Sequence, residues 1–303
     1  MFGDIISNEE AKSFLKNEIK IGKKSGTYLF YGERGSELME FSLAFAKGLN
    51  CSEDPVDFCG KCDVCLRIDS GNYPDVEVVE DPTGIKINQV REVIYKASSS
   101  SYEGRKKVFI LKDIENLRVE AANALLKIIE EPGEGTFFIM TSHSLNIIPT
   151  IISRSTAVHI KKKNPEELGI TEEEYEFFFG DVAEIEMYKK IGIDLHHPVS
   201  YSDIGEHIKN YVKDGEIESR INIKKSLRDF MGNRRFLDDI EKIYFAEEIY
   251  RGSRDRSVAE SIMYEGILLN DDLSKTEGLL HIKGMLRFPV NVQLALKMFF
   301  LKI

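Results

Sequence analysis

All four cysteines of the 303-residue chain fall within fifteen positions, as Cys51-x7-Cys59-x2-Cys62-x2-Cys65. Four thiolates around one point make a tetrahedral cage that completes the coordination sphere of zinc and leaves no position for substrate. Spacing of this kind therefore predicts a structural metal site that braces a loop and performs no chemistry. The same residues also fit reduced or disulfide-linked cysteines, or an iron–sulfur cluster, because C-x2-C-x2-C occurs in ferredoxins. The ferredoxin run continues to a downstream Cys-Pro, whereas here the fourth thiol lies upstream at Cys51, which favours zinc.

A second stretch has the outline of a phosphate loop without its working parts. Such a loop needs glycines that let backbone N–H groups wrap a phosphate, a lysine that reaches the β/γ-phosphates, and a hydroxyl that holds magnesium. In that register the chain reads Gly32-Glu33-Arg34-Gly35-Ser36-Glu37-Leu38-Met39. Glu37 takes the last glycine position, Leu38 replaces the lysine and Met39 replaces the magnesium-binding hydroxyl. A carboxylate facing a triphosphate repels it, so no ATP is expected to bind. Taken alone, the octet is equally a plain strand–turn–helix junction.

The elements that must position these residues read as an α/β domain. Ser7 and Glu10 form a capping box ahead of an amphipathic helix, and Tyr28 to Tyr31 is a short apolar strand that breaks at Gly32. Leu38, Phe41, Phe45 and Leu49 then recur at helical spacing. Beyond the cysteines, Val76 to Val79 reads as a strand between Pro74 and Pro82, Ile87 to Ala97 as a helix and Val108 to Leu111 as a buried strand. Ala121 to Ile129 is a helix stopped by Glu-Glu-Pro-Gly, and Phe137 to Met140 is another buried strand. Together these predict a parallel sheet with helices on both faces. After Lys163-Asn164-Pro165 only helical patterns remain: a capping box at Thr171 and Glu174, then runs over 204–212, 223–231, 236–250 and 292–301.

Composition narrows the function. With 41 Lys plus Arg against 51 Asp plus Glu, the net charge is −10, which argues against an autonomous nucleic-acid binder. Two short basic runs, Arg105-Lys106-Lys107 and Lys161-Lys162-Lys163, read as solvated edges, with DNA contact as the rival reading. The first residues carry no basic-then-apolar leader and no stretch approaches the apolar length of a membrane span. A cytoplasmic location is expected, where cysteines stay reduced and available to metal.

Three segments carry a specific resemblance: Lys107-Val108-Phe109-Ile110-Leu111-Lys112-Asp113, then Asn123-Ala124-Leu125-Leu126-Lys127-Ile128-Ile129-Glu130-Glu131-Pro132, then Ser153-Arg154-Ser155. With the cysteine loop placed after the phosphate-loop helix, the chain resembles the bacterial clamp-loader AAA+ subunits of DNA polymerase III over roughly residues 1 to 160. The resemblance implies an AAA+ core at 1–161 with the four-cysteine zinc module at 51–65, a small helical lid domain at 162–203, and a helical collar domain for oligomerisation at 204–303. In motor members of that family the third strand ends in Asp-Glu, which serves magnesium and the attacking water. Here the pair is Lys112-Asp113, so a cation stands where a dication must sit. That second loss implies the non-hydrolytic type of subunit, with no catalytic activity of its own.

Ser153-Arg154 matches the family's Ser-Arg-Cys motif, with Ser155 in place of the cysteine, and implies an arginine that works in trans on a neighbour's nucleotide. Implied partners are gamma/tau motor subunits on the side presented by Arg154, a delta subunit on the other, and, through the complex, the sliding clamp and primer-template DNA. Thr141 and Ser142 occupy the family's sensor position but read as turn or capping residues, and His196-His197 reads as an exposed linker. Two rival functions remain from the sequence: an active gamma/tau-type ATPase, and a zinc or iron–sulfur adaptor unrelated to replication.

Overall fold

The computed structural model describes residues 1–303 except Ile6, Pro82, Thr83, Gly104 and Arg287. Pro82, expected to end the second strand, thus lies outside the described residues. The chain forms two compact units, Met1–Val182 and Ala183–Ile303.

In the first unit the order is α1 (Glu9–Ile21), β1 (Gly26–Tyr31), α2 (Leu38–Asn50), α3 (Asp63–Asp69), β2 (Val76–Val79), α4 (Ile87–Ala97), β3 (Lys107–Leu111), α5 (Val119–Glu130), β4 (Thr136–Ser142), α6 (Pro149–Ile152), β5 (Thr156–His159), α7 (Pro165–Leu168) and α8 (Glu172–Phe177). The sheet runs β2-β3-β4-β1-β5 with every pairing parallel. Helices cover both faces, so β3 and β4 are buried along their whole length, and Val108–Leu111 and Phe137–Met140 within them are continuous apolar runs.

Period-two alternation feeds two cores. Phe30, Val108, Ile110, Phe137 and Ile139 pack with Leu15, Phe41 and Phe45 of α1 and α2. Leu29, Phe109, Leu111, Phe138 and Met140 pack with Val90, Val93, Leu125 and Ile129 of α4 and α5. This is the doubly covered parallel sheet expected from the sequence.

Parallel strands sort the functional candidates between two ends of the sheet. The Gly32–Met39 stretch follows β1 and Lys112-Asp113 follows β3, so both sit at the carboxyl end, where open α/β sheets place ligands. Arg154 precedes β5, and Arg105 and Lys106 precede β3, so these lie at the opposite end.

The start of α1 departs from expectation. Ser7 is not the cap: Asn8 takes that position at φ 61°, and its side chain makes no capping bond. Instead Asn8 Oδ1 accepts from the Lys161 N–H at 2.7 Å and Nδ2 donates to the Lys161 carbonyl at 3.0 Å, so it pins the chain leaving β5. The Thr171 box is present, with the Thr171 hydroxyl accepting from the Glu174 N–H.

α9 (Val182–Ile191) begins at the division. The second unit continues with α10 (Ile204–Asp214), α11 (Ile217–Asn233), α12 (Asp239–Gly252), α13 (Arg256–Leu268), α14 (Leu273–Met285) and α15 (Val292–Lys302). Its core is aromatic: the Phe230 and Phe245 rings stack at 3.9 Å, and Phe300 meets both edge-on. Beside that core Glu184, Arg220, Lys224 and Glu265 form a buried ion network, in which Glu184 accepts from Arg220 Nε at 2.8 Å and pairs with Lys224 at 2.9 Å, while Arg220 also pairs with Glu265. Burial alone would raise the Glu184 pKa, but Arg220 and Lys224 hold it below the ordinary value. Among the described residues, no helix is long and apolar enough to cross a membrane.

Candidate metal centre and degenerate phosphate loop

The sulfurs of Cys51, Cys59, Cys62 and Cys65 all lie within 4.8 Å of one another, and the four cysteines are free. Cys51 Sγ and Cys62 Sγ are 4.0 Å apart, close to the roughly 3.8 Å that a tetrahedral cage with zinc–sulfur bonds of about 2.3 Å requires. Local structure sets each donor. Cys51 follows the last turn of α2, its N–H on the Lys47 carbonyl at 2.7 Å. Gly60, at φ 68°, reverses the chain between Cys59 and Cys62, a conformation in which a side chain is strained. Cys62 stands at the N-cap of α3 and Cys65 is fully buried in its first turn.

Main-chain donors already serve sulfur: Cys59 N–H points to Cys51 Sγ at 3.4 Å and Cys62 N–H to Cys59 Sγ at 3.3 Å. Burial works against ionisation of the Cys62 thiol, yet bonds from Ser52 and Cys65 outweigh it and lower the thiol to about 6. Burial pushes the Cys65 thiol up, as two neighbouring thiols compete for charge. Four soft donors at this spacing fit a single thiophilic ion.

The basic run at 105–107 is a solvated edge only in part: Arg105 is exposed and Lys106 half-buried, but Lys107 is buried. Arg105 Nη1 donates to the carbonyls of Asn50 and Cys51, each at 2.8 Å. Lys107 is 8% exposed, and its ammonium caps the end of α4 by donating to the carbonyls of Lys96, Ser99 and Ser100 at 2.8, 2.9 and 2.9 Å. The run at 161–163 is divided likewise, with Lys161 exposed. Lys162 donates to the Phe179 carbonyl at 2.7 Å, and Lys163 is buried.

Lys163 ends in the phosphate loop. Its ammonium lies 2.6 Å from Glu37 Oε2, with both side chains largely buried. Burial, then the neighbouring Glu40, pushes the Glu37 carboxyl up to about 7 despite that lysine. Leu38 and Met39 pack into or against the α1/α2 core, so the lysine and hydroxyl positions are apolar anchors. Gly32 and Gly35 still matter sterically. A Cβ on Gly32 would lie 2.2 Å from the Ile160 carbonyl oxygen, and one on Gly35, at φ 93°, would lie 2.6 Å from that of Gly180. Ser36 is buried, and its hydroxyl makes no hydrogen bond among the described residues.

At the same end, Lys112 pairs with Glu80 at 2.9 Å. Asp113 turns at φ 54° and its N–H donates to Thr141 Oγ1 at 3.2 Å, while burial first and Glu115 second raise its pKa. Thr141 thus closes the β3–β4 edge, and Ser142 Oγ accepts from the Ser144 N–H at 3.2 Å in the following turn. His196 and His197 are exposed, and the four cysteines form the one metal-capable cluster among the described residues.

Arg154 leaves the short turn after α6. Its Nε donates to Glu130 Oε2 at 2.7 Å and its Nη1 to the Thr150 carbonyl at 3.2 Å. Ser153 Oγ donates to the Thr150 carbonyl at 3.2 Å and Ser155 Oγ to that of Ile151 at 2.7 Å, so both hydroxyls shape the turn. Sequence reasoning missed Asn50, Glu103, Glu130 and Lys163 as parts of these sites. The identity of a charged residue gives no sign of which distant backbone atoms it will meet.

The chain is similar to known replication proteins. It is 33% identical over 153 residues to the DNA polymerase III delta' subunit of Bacillus subtilis, covering 50% of this chain and 46% of that one. It is 27% identical over 246 residues to the gamma/tau subunit of Mycoplasma genitalium, covering 80% of this chain and 38% of that protein. The match therefore spans less than half the length of either relative. The fold is that of a DNA polymerase III gamma subunit-related protein from Thermotoga maritima, with TM-score 0.59 and 19% identity over 95% of this chain and 96% of that one. The family described as DNA polymerase III, delta subunit, matches residues 7–164, more than half of the chain, and the protein therefore belongs to this clamp-loader family, with an AAA+ fold.

Proposed function

We propose that this chain is a delta-prime-type clamp-loader subunit, which hydrolyses no nucleotide and acts by assembling with subunits that do. The observation that carries this reading is the Glu37–Lys163 pair, 2.6 Å apart at the position a phosphate loop gives to glycine. A loop neutralised by its own ion pair, with Leu38 and Met39 turned to the core, offers a triphosphate neither a free lysine nor a magnesium ligand.

Within this reading the chain divides into an AAA+ core at 1–161, a lid at 162–203 and a collar at 204–303. Its partners are gamma/tau and delta subunits in the cytoplasm, with the sliding clamp and primer-template DNA reached through the complex. Cys51, Cys59, Cys62 and Cys65 would hold Zn²⁺, which supplies a crosslink to an otherwise irregular loop. Arg154, with Ser153, would serve a neighbour's γ-phosphate in trans. The longer match to a gamma/tau relative favours a motor as the second reading.

Co-purification with a gamma/tau-type subunit, followed by ATPase assay with and without this chain, tests both. The expected outcome is a stable complex whose hydrolysis rises when this chain is added, while the chain alone is inactive. Hydrolysis by the purified chain would establish the motor reading instead.

A further inference from the structure

Two arginines tie the cysteine loop to the stretch that feeds β3. Arg105 grips the carbonyls of Asn50 and Cys51 through one nitrogen, each at 2.8 Å, so its guanidinium sits on the backbone of the first sulfur donor. The next residue closes the same joint. Lys106 N–H donates to Asn50 Oδ1 at 3.0 Å, and Asn50, fully buried, donates from Nδ2 to the Ala46 carbonyl at 3.1 Å. From α3, two positions past Cys65, Arg67 forms a forked pair with Glu103 at 2.7 and 3.2 Å. Asp75 accepts the N–H groups of Tyr102 and Glu103 at 2.6 and 2.8 Å. The two ties thus reach both ends of the cysteine loop, from residues about 36 to 56 positions away.

We propose that the metal centre and the segment carrying Tyr102, Glu103, Arg105 and Lys106 are one coupled element: metal binding orders that segment, and Arg105 and Glu103 raise the affinity for metal. This rests on the reading of the four cysteines as a metal site. Coupling between two such events is reciprocal, so the factor by which the joint strengthens metal binding is the factor by which metal strengthens the joint. Groups behind the ligands typically change metal affinity about 10- to 100-fold. Arg105 is exposed and acts through carbonyls, which places it near the lower end. Its positive charge also offsets the net negative charge of a four-thiolate zinc centre.

The test uses the full chain, zinc-loaded and chelator-stripped. Amide exchange across 99–107 should quicken on stripping while β4 stays protected. In competition with a chromophoric chelator, Arg105→Ala and Glu103→Gln should each bind zinc about 10-fold more weakly than wild type, and both should show faster exchange at 99–107 even when loaded. Unchanged exchange on stripping, or wild-type zinc affinity in both variants, overturns the coupling and leaves the metal site standing. Purified protein that neither carries nor takes up zinc overturns both.

Discussion

Arg154 Nε and Glu130 Oε2 lie 2.7 Å apart, which joins the turn after α6 to the last residue of α5 and fixes one edge of the guanidinium. Thr150 holds Nη1, and Nη2 makes no hydrogen bond among the described residues. An ion pair with partners 29% and 55% exposed contributes little to folding. Its effect is to present the remaining nitrogen in a set orientation.

Arg154→Ala should therefore change unfolding free energy by no more than about 1 kcal/mol. In the assembled complex it should cut clamp- and DNA-stimulated ATP hydrolysis. Loss of such a group costs on the order of 10³-fold at a single GTPase site, and less in the bulk turnover of a ring with several sites. Arg154→Lys should restore only part of the activity, since an ammonium lacks the planar fork. Normal clamp loading by complexes carrying Arg154→Ala would make Arg154 a surface residue and nothing more.

Cys62→Ser should lower zinc content and make residues 50–70 sensitive to protease while the sheet stays folded. Elemental analysis of protein purified without chelator is the check on the metal itself. Iron with sulfide in place of zinc would reverse the assignment.

Isothermal calorimetry of the isolated chain should give no saturable Mg-ATP binding at low micromolar concentration. Clear binding there would mean that the Glu37–Lys163 pair opens for nucleotide, or that a different pocket receives it.

The Glu37 carboxyl, pushed up from 4.5 to about 7 by burial and by Glu40, makes stability depend on pH. The folded state binds this proton more tightly than the unfolded state, so the contribution is full below pH 4.5 and is lost as pH rises through about 7. Glu37→Gln cannot titrate, so its stability relative to wild type should improve steadily across that window. Urea midpoints at pH 5 and pH 8 measure this directly, and a difference that stays constant or shrinks would contradict the assigned shift.

Arg220→Leu should destabilise the second unit by about 3–5 kcal/mol, because it leaves the buried carboxylates of Glu184 and Glu265 short of a cation. Urea unfolding followed by circular dichroism would show it. A loss below about 1 kcal/mol would mean that water reaches these groups.

The core of the first unit was legible because Val108–Leu111 and Phe137–Met140 are unbroken apolar runs and α2 and α4 keep helical spacing. The cysteine cluster was legible because metal ligands crowd along the chain. The helical second unit was less so: Leu273 and Leu280 of α14 are exposed while Leu279 and Ile282 are buried, which blurs the apolar stripe, and neither α13 nor α14 stood out. Lys107 and Lys163 misled for a physical reason. A lysine whose ammonium meets several carbonyls or a buried carboxylate looks, in sequence, like any surface charge. Ser7, read as the cap of α1, gives way to Asn8, whose side chain serves Lys161 and not its own helix.

Because both faces of the sheet are apolar, hydrophobicity alone does little to fix strand register. Sliding β4 by one residue against β1 would exchange Phe137 and Ile139 for Phe138 and Met140, still one aromatic and one aliphatic side chain in each core. Polar atoms near the strand ends add fixed points. Thr27 Oγ1 donates to the Ile129 carbonyl at 2.7 Å, the Asp113 N–H donates to Thr141 Oγ1, and the Lys107 ammonium sits on the last carbonyls around α4. Lys107, which looks in sequence like a defect in the apolar pattern, thus anchors the start of β3 to the end of the helix before it.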